Sequence, residues 1–107
     1  MNLVYDHDTF EKMQDRIIKE IANVIKNQLE ANNIGLEVAR EITADATFEI
    51  ASIIDGSLIM ELDGKTVEPI LTFKSNEDAL VWDEGSSWMH EVVYGWVYDL
   101  FPESHQE

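Results

Sequence analysis

In 107 residues and 12.3 kDa the chain carries 22 acidic side chains against 7 basic ones, a formal charge of −15, and no cysteine. That length suits one domain around one core, and the missing thiols exclude disulfides, thiolate metal centres and cysteine catalysis. The scarcity of Lys and Arg argues against direct nucleic-acid binding, because affinity for phosphate backbones comes from cationic side chains. Leu, Ile, Val and Phe supply 31 residues, too many for a chain that stays unfolded. No apolar run approaches the length of a membrane span and the start lacks a signal-peptide pattern, so the expectation is a soluble cytoplasmic protein.

The first strong signal covers 8–31. Phe10, Met13, Ile17, Ile21, Val24 and Leu29 recur near three- and four-residue steps, with Lys12, Asp15, Lys19, Glu20, Lys26 and Glu30 between them. That spacing predicts an amphipathic helix, and Ile18 and Ile25 widen its stripe toward a second neighbour. Asp8 followed by Glu11 has the form of a capping box, while Asn32-Asn33 tolerates the left-handed geometry of a helix stop. Over 35–54, Ala39, Ile42, Ala46, Ile50 and Ile53 keep the helical step, and Gly56 stands where a C-terminal glycine belongs. A competing reading makes Thr47 to Ile54 a strand turned by Asp55-Gly56. The helix is preferred, because Ile53-Ile54 breaks strict alternation.

The segment 57–74 reads as a hairpin. Leu58, Met60 and Leu62 alternate, then Val67, Leu71 and Phe73, and Asp63-Gly64 suits the turn between them. Pro69 cannot donate to a ladder and marks an edge or a bulge. Ala79 to Trp82 adds a short third strand. Over 86–101 a helix is expected, capped by Ser86 or Ser87, ended by Pro102, with Trp88, Val92, Trp96 and Leu100 one above another. Ten of the fourteen residues from Trp88 to Phe101 are apolar or aromatic, and a helix apolar nearly all round is buried on most sides. In so small a domain this predicts a two-fold homodimer through that helix, with Gly95 admitting a close neighbour. The expected fold is α+β, with two long N-terminal helices, a small antiparallel hairpin or three-stranded sheet, and an aromatic C-terminal helix, all in a single domain over 1–107.

Charge is distributed unevenly. Five of the seven bases (Lys12, Arg16, Lys19, Lys26, Arg40) lie in the first 40 residues; eight acids and no Lys or Arg lie from Ser75 to Glu107; Glu41 to Gly64 holds six acids and no base. Negative charge keeps a protein in solution. The sharper expectation is a surface that meets a basic partner. In size and charge alone the chain is similar to DNA mimics, nuclease-immunity proteins and inhibitors of restriction or CRISPR effectors; no motif assigns it to any of them.

Candidate chemistry is sparse. Asp6-His7-Asp8 gathers metal-ligand types, but adjacent residues rarely converge on one ion and Asp8 serves better as a cap, so no metal is expected. His90 lies near Asp83, Glu84 and Glu91 in sequence, and a carboxylate neighbour would suit it to proton transfer. No nucleophile motif or phosphate-cradling glycine pattern completes a catalytic set, and no cofactor is expected. Trp82, Trp88, Tyr94, Trp96 and Tyr98 suit a core, an interface or the floor of a pocket. The expected function is therefore a non-enzymatic binding or regulatory module docking a basic protein, through Asp78, Asp83, Glu84, Trp88, His90, Glu91, Tyr94 and Tyr98. The alternatives are a small-molecule or metal-binding enzyme-like domain using His90 and the nearby carboxylates, and a subunit of a larger assembly with no separate activity.

Overall fold

The computed structural model describes residues 1–76 and 78–101, and the fold over them is α+β. Helices α1 (His7–Ala31) and α2 (Leu36–Ile54) are joined by a four-residue connection at 32–35, which sets them side by side and antiparallel. The cap of α1 is Asp6 rather than Asp8. Its carboxylate accepts the Thr9 backbone N–H at 3.2 Å and the Thr9 hydroxyl at 2.8 Å, and that hydroxyl is the main cause holding the Asp6 carboxyl below its ordinary range. Asp8 already lies inside the first turn, where it can only complement the helix dipole.

Both helices end in the same left-handed turn. Asn33 and Gly56 have φ of 61° and 77°. After α1, the Ile34 N–H reaches the Leu29 carbonyl at 3.0 Å and the Asn33 N–H the Glu30 carbonyl at 3.0 Å. After α2, the Ser57 N–H reaches the Ser52 carbonyl at 2.9 Å and the Gly56 N–H the Ile53 carbonyl at 3.1 Å. These paired bonds satisfy the last carbonyls of each helix, and they eliminate the strand reading of Thr47 to Ile54.

The inward faces differ from the expected stripes. Helix α1 buries Phe10, Gln14, Ile18 and Ala22 at steps of four, while Val24 is 63% exposed; Ile18 is the centre of the buried stripe, not its margin. Helix α2 buries Ala39, Thr43, Ala44, Thr47 and Ala51. Ile42, Ile50 and Ile53, expected to face the core, lie on its exposed sides. Methyl-sized side chains let α2 approach its neighbours closely, so Ile18, Ala22, Ala39, Ala44, Ala51, Met89, Val93, Val97 and Phe101 close into one core.

A three-stranded sheet in the order β1-β5-β4 flanks the helices, built from β1 (Asn2–Tyr5), β4 (Phe73–Asn76) and β5 (Ala79–Trp82). β5 occupies the span expected for the third strand. β4 pairs with it antiparallel, with an irregularity between Lys74 and Asn76, and β1 pairs with it in parallel. Phe73 meets Phe10 edge-on at 5.4 Å between ring centroids, tying the sheet to α1. The expected hairpin over 57–74 is shorter, confined to β2 (Met60–Leu62) and β3 (Lys65–Val67) around Asp63 and Gly64, whose φ values are 52° and 76°. Pro69 offers no N–H to prolong the ladder and lies outside both strands.

The expected helix over 86–101 is also shorter. A single 3-10 turn at Met89–Glu91 precedes α3 (Val93–Asp99). Ser87 caps nothing, because its hydroxyl donates to the buried carboxylate of Asp55, which also takes the His90 backbone N–H at 2.7 Å. Those bonds hold the chain from Ser87 to His90 out of helical register. Val93, Val97 and Phe101 then point inward at steps of four. Pro102 lies outside the described residues. Among the described residues nothing comes within 4 Å of a Cβ built on Gly95, so no contact among them demands the glycine.

Candidate interaction surface

Asp55 ends α2 and anchors the C-terminal segment. The residue is 3% exposed; one carboxylate oxygen accepts from the Ser87 hydroxyl, and the other takes the His90 N–H and the His90 Nδ1–H, the latter at 2.6 Å. An imidazole so held keeps one tautomer and one orientation. The carboxylate that reaches His90 is thus 35 positions away in sequence, not Asp83, Glu84 or Glu91. Ser87 donates to the carboxylate rather than to the ring, so Asp55, His90 and Ser87 do not form the relay that activates a nucleophile.

Oriented this way, His90 joins a row of rings. Trp88 and His90 lie 6.1 Å apart by centroid, His90 and Phe48 5.9 Å, Phe48 and Tyr94 5.6 Å, and Tyr94 and Tyr98 6.1 Å. Trp88, Tyr94 and Tyr98 remain exposed. The Arg40 guanidinium stacks 5.3 Å over Tyr98. The Tyr94 hydroxyl donates to Asp45 at 2.9 Å, and that bond is the first cause raising the phenol above its ordinary range, since ionisation would set two anions together.

Beside the rings runs an acidic ridge. Glu37, Glu41, Asp45 and Glu49 follow one another every fourth residue of α2, all exposed. Like charges at that spacing repel by a few tenths of a kcal/mol per pair (roughly 0.2–0.5). Among the described residues no Lys, Arg or His forms an ion pair with any of the four. Val38, Ile42 and Ile53 stand exposed on the same outward side of the helix. Where α2 passes toward the hairpin, Phe48, Glu49, Ser52, Ile53, Ser57 and Leu58 line a groove of about 550 Å³.

A second cleft of about 390 Å³ opens at the start of α1, with Phe10, Gln14 and Trp88 among its walls and Glu11, Asp15, Asp83 and Glu91 among its acids. His7 closes one side of it. Its Nδ1 lies 3.0 Å from Asp83 and its Nε2 3.0 Å from Glu11; the hydrogen bond to Asp83 is the main cause raising the His7 pKa. Among the described residues no group of three or more His, Asp or Glu is placed to hold a metal ion.

The structure therefore divides the sequence-selected residues. His90, Tyr94 and Tyr98 share the ring row; Asp83 and Glu91 line the α1 cleft; Trp88 belongs to both. Glu84 sits in the loop after β5 with φ 54°. Asp78 directly precedes β5, and the five residue steps from it to Asp83 span roughly 17 Å at the usual strand rise. Trp96 is taken up by α1, donating to Asp15 at 3.1 Å beneath the Lys19 ammonium 3.9 Å from its ring centre. Phe48, Asp55 and the ridge were not among the selected residues. The every-fourth-residue recurrence of acid from Glu37 to Glu49 was the available signal. Asp55 gave none beyond preceding a glycine.

Fold and surface together define an α+β protein with an aromatic and acidic helical face. No helix among the described residues is long and apolar enough to cross a membrane. No family model, curated protein or solved structure matches the chain.

Proposed function

We propose that this protein is a non-enzymatic binding module that docks a basic protein, in the manner of an inhibitor, an immunity-type protein or a DNA mimic. The observation that carries this reading is the exposed ridge Glu37, Glu41, Asp45 and Glu49, none of them ion-paired to a base among the described residues, beside the exposed rings of Tyr94 and Tyr98. A row of like charges on one helix face weakens the fold that carries it, and a cationic partner relieves that repulsion on binding. Exposed Tyr and Trp supply contact area at low entropic cost, while carboxylates steer a basic surface into register. Coating a resin with the protein and capturing partners at about 50 and 200 mM salt tests this. Capture should fall steeply with salt and fall further for the double variant Glu41→Gln with Glu49→Gln. Capture that is indifferent to salt and to both substitutions would contradict it.

A further inference from the structure

The outward face of α2 is neither a plain acidic surface nor a plain apolar one. Val38, Ile42 and Ile53 are 52%, 40% and 42% exposed, although most helices of this size turn such side chains inward. Between them and the ring row stand Asp45 and Glu49. The chain leaves these branched aliphatic groups in water while filling the opposite side of the helix with Ala and Thr. We propose that this face is the seat of an amphipathic basic α-helix from the partner protein, which lies along α2 with its apolar stripe on Ile42 and Ile53 and its Lys or Arg side chains on Asp45 and Glu49. The proposal rests on the reading of a basic partner and adds the form that partner takes.

Two observations favour a helix. The acids of the ridge recur every fourth residue, a rise of about 6 Å on an α-helix. A helix laid alongside presents its own side chains at that same interval, so anchors and cations meet their counterparts without stretching. The groove of about 550 Å³ by Phe48 and Leu58 gives the stripe an endpoint with volume enough for one large side chain. The charge pattern also disfavours the simplest rival. A second copy of the chain would bring its own ridge, and a two-fold contact on this face sets carboxylates against carboxylates. A basic segment neutralises them.

The test uses two synthetic peptides of identical Leu, Ala and Lys composition, one ordered to form an amphipathic helix and one scrambled to scatter its leucines, titrated calorimetrically into the full chain at about 150 mM salt. The ordered peptide should bind at least about tenfold more tightly. Ile53→Asp adds negative charge, so charge alone would leave affinity for the ordered peptide equal or higher; the seat predicts a loss of about tenfold or more, with the scrambled peptide unaffected. Ile42→Ser is the companion variant, and unchanged far-ultraviolet circular dichroism confirms that each still folds. Equal binding of both peptides, with no response to either variant, overturns the helical seat while leaving a basic partner standing. Failure of both peptides to bind removes the basic partner as well. A mass of two chains that reverts to one in Ile53→Asp assigns the face to self-association and overturns the proposal.

Discussion

The two long helices solve the same packing problem in opposite ways. Helix α1 turns Phe10 and Ile18 inward, joined by Ala22, and covers its outer side with Lys12, Arg16, Glu20 and Glu30, pairing charges internally through Arg16 with Glu20 and Lys26 with Glu30. Helix α2 turns Ala39, Ala44 and Ala51 inward and holds Val38, Ile42 and Ile53 outward among four acids that no described base pairs. A helix built only for the fold resembles α1. The inverted arrangement of α2 costs burial that its isoleucines would have supplied, at about 25 cal/mol per Å² of apolar surface, and it sustains a repulsive charge row. On the proposed reading, that difference makes α2 the helix that meets the partner.

Variants break or sharpen that contrast in order of size. Removing the hub at the end of α2, by Asp55→Ala, strands the Ser87 hydroxyl and the His90 N–H, and urea denaturation should register a loss of about 3 kcal/mol. A loss near zero would mean that Asp55 does not hold the C-terminal segment. Next, Ala51→Leu overfills the inward face of α2 and should cost roughly 1–3 kcal/mol, whereas Ile53→Ser, two residues on, should cost under about 1 kcal/mol. Equal costs would erase the distinction between the faces. Gly95→Ala meets no neighbour among the described residues and should raise stability by about 1 kcal/mol through helix propensity; a drop in melting temperature would reveal a neighbour packed there.

The smallest effect is electrostatic and lies at the start of α1. His7 has a folded-state pKa raised by Asp83, so the stability it adds is complete below the unfolded histidine value and is lost as pH rises through the higher folded value. Following the His7 ring protons by NMR should place the midpoint above the ordinary histidine value in the wild type. In Asp83→Asn the midpoint should move back toward that value. An unmoved midpoint would show that Asp83 is not the cause.

What the sequence disclosed depends on how local the cause is. Helix α1, the turn at Asp63-Gly64 and the ends at Asn33 and Gly56 arise from contacts within a few residues, and their patterns were legible; the strand Ala79–Trp82 was legible from its own apolar run, although one of its two partners lies at the other end of the chain. β1 was not, because Leu3-Val4-Tyr5 is a short run whose parallel partner β5 lies at the far end of the chain. The buried face of α2 misled for another reason. Hydrophobic periodicity assigns large apolar side chains to the core, whereas close helix packing selected the small ones. At the C-terminus, Ser86 and Ser87 had the form of caps, but Glu68 and Asp55 claimed their hydroxyls. Tyr94, Tyr98 and Trp88 were legible as candidates from the crowding of rings between Trp82 and Tyr98, with core and interface both open. Phe48, and the carboxylate that orients His90, required the fold.

The most direct test of a docking face on α2 is residue-by-residue chemical-shift mapping of the isotopically labelled chain as the ordered Leu/Lys peptide is added. The account predicts that the largest shifts fall at Ile42, Asp45, Glu49, Ile53 and Tyr94, with little change at His7, Glu11 and Asp83. Shifts concentrated instead around the His7 cleft, or spread evenly over every exposed acid, would contradict it.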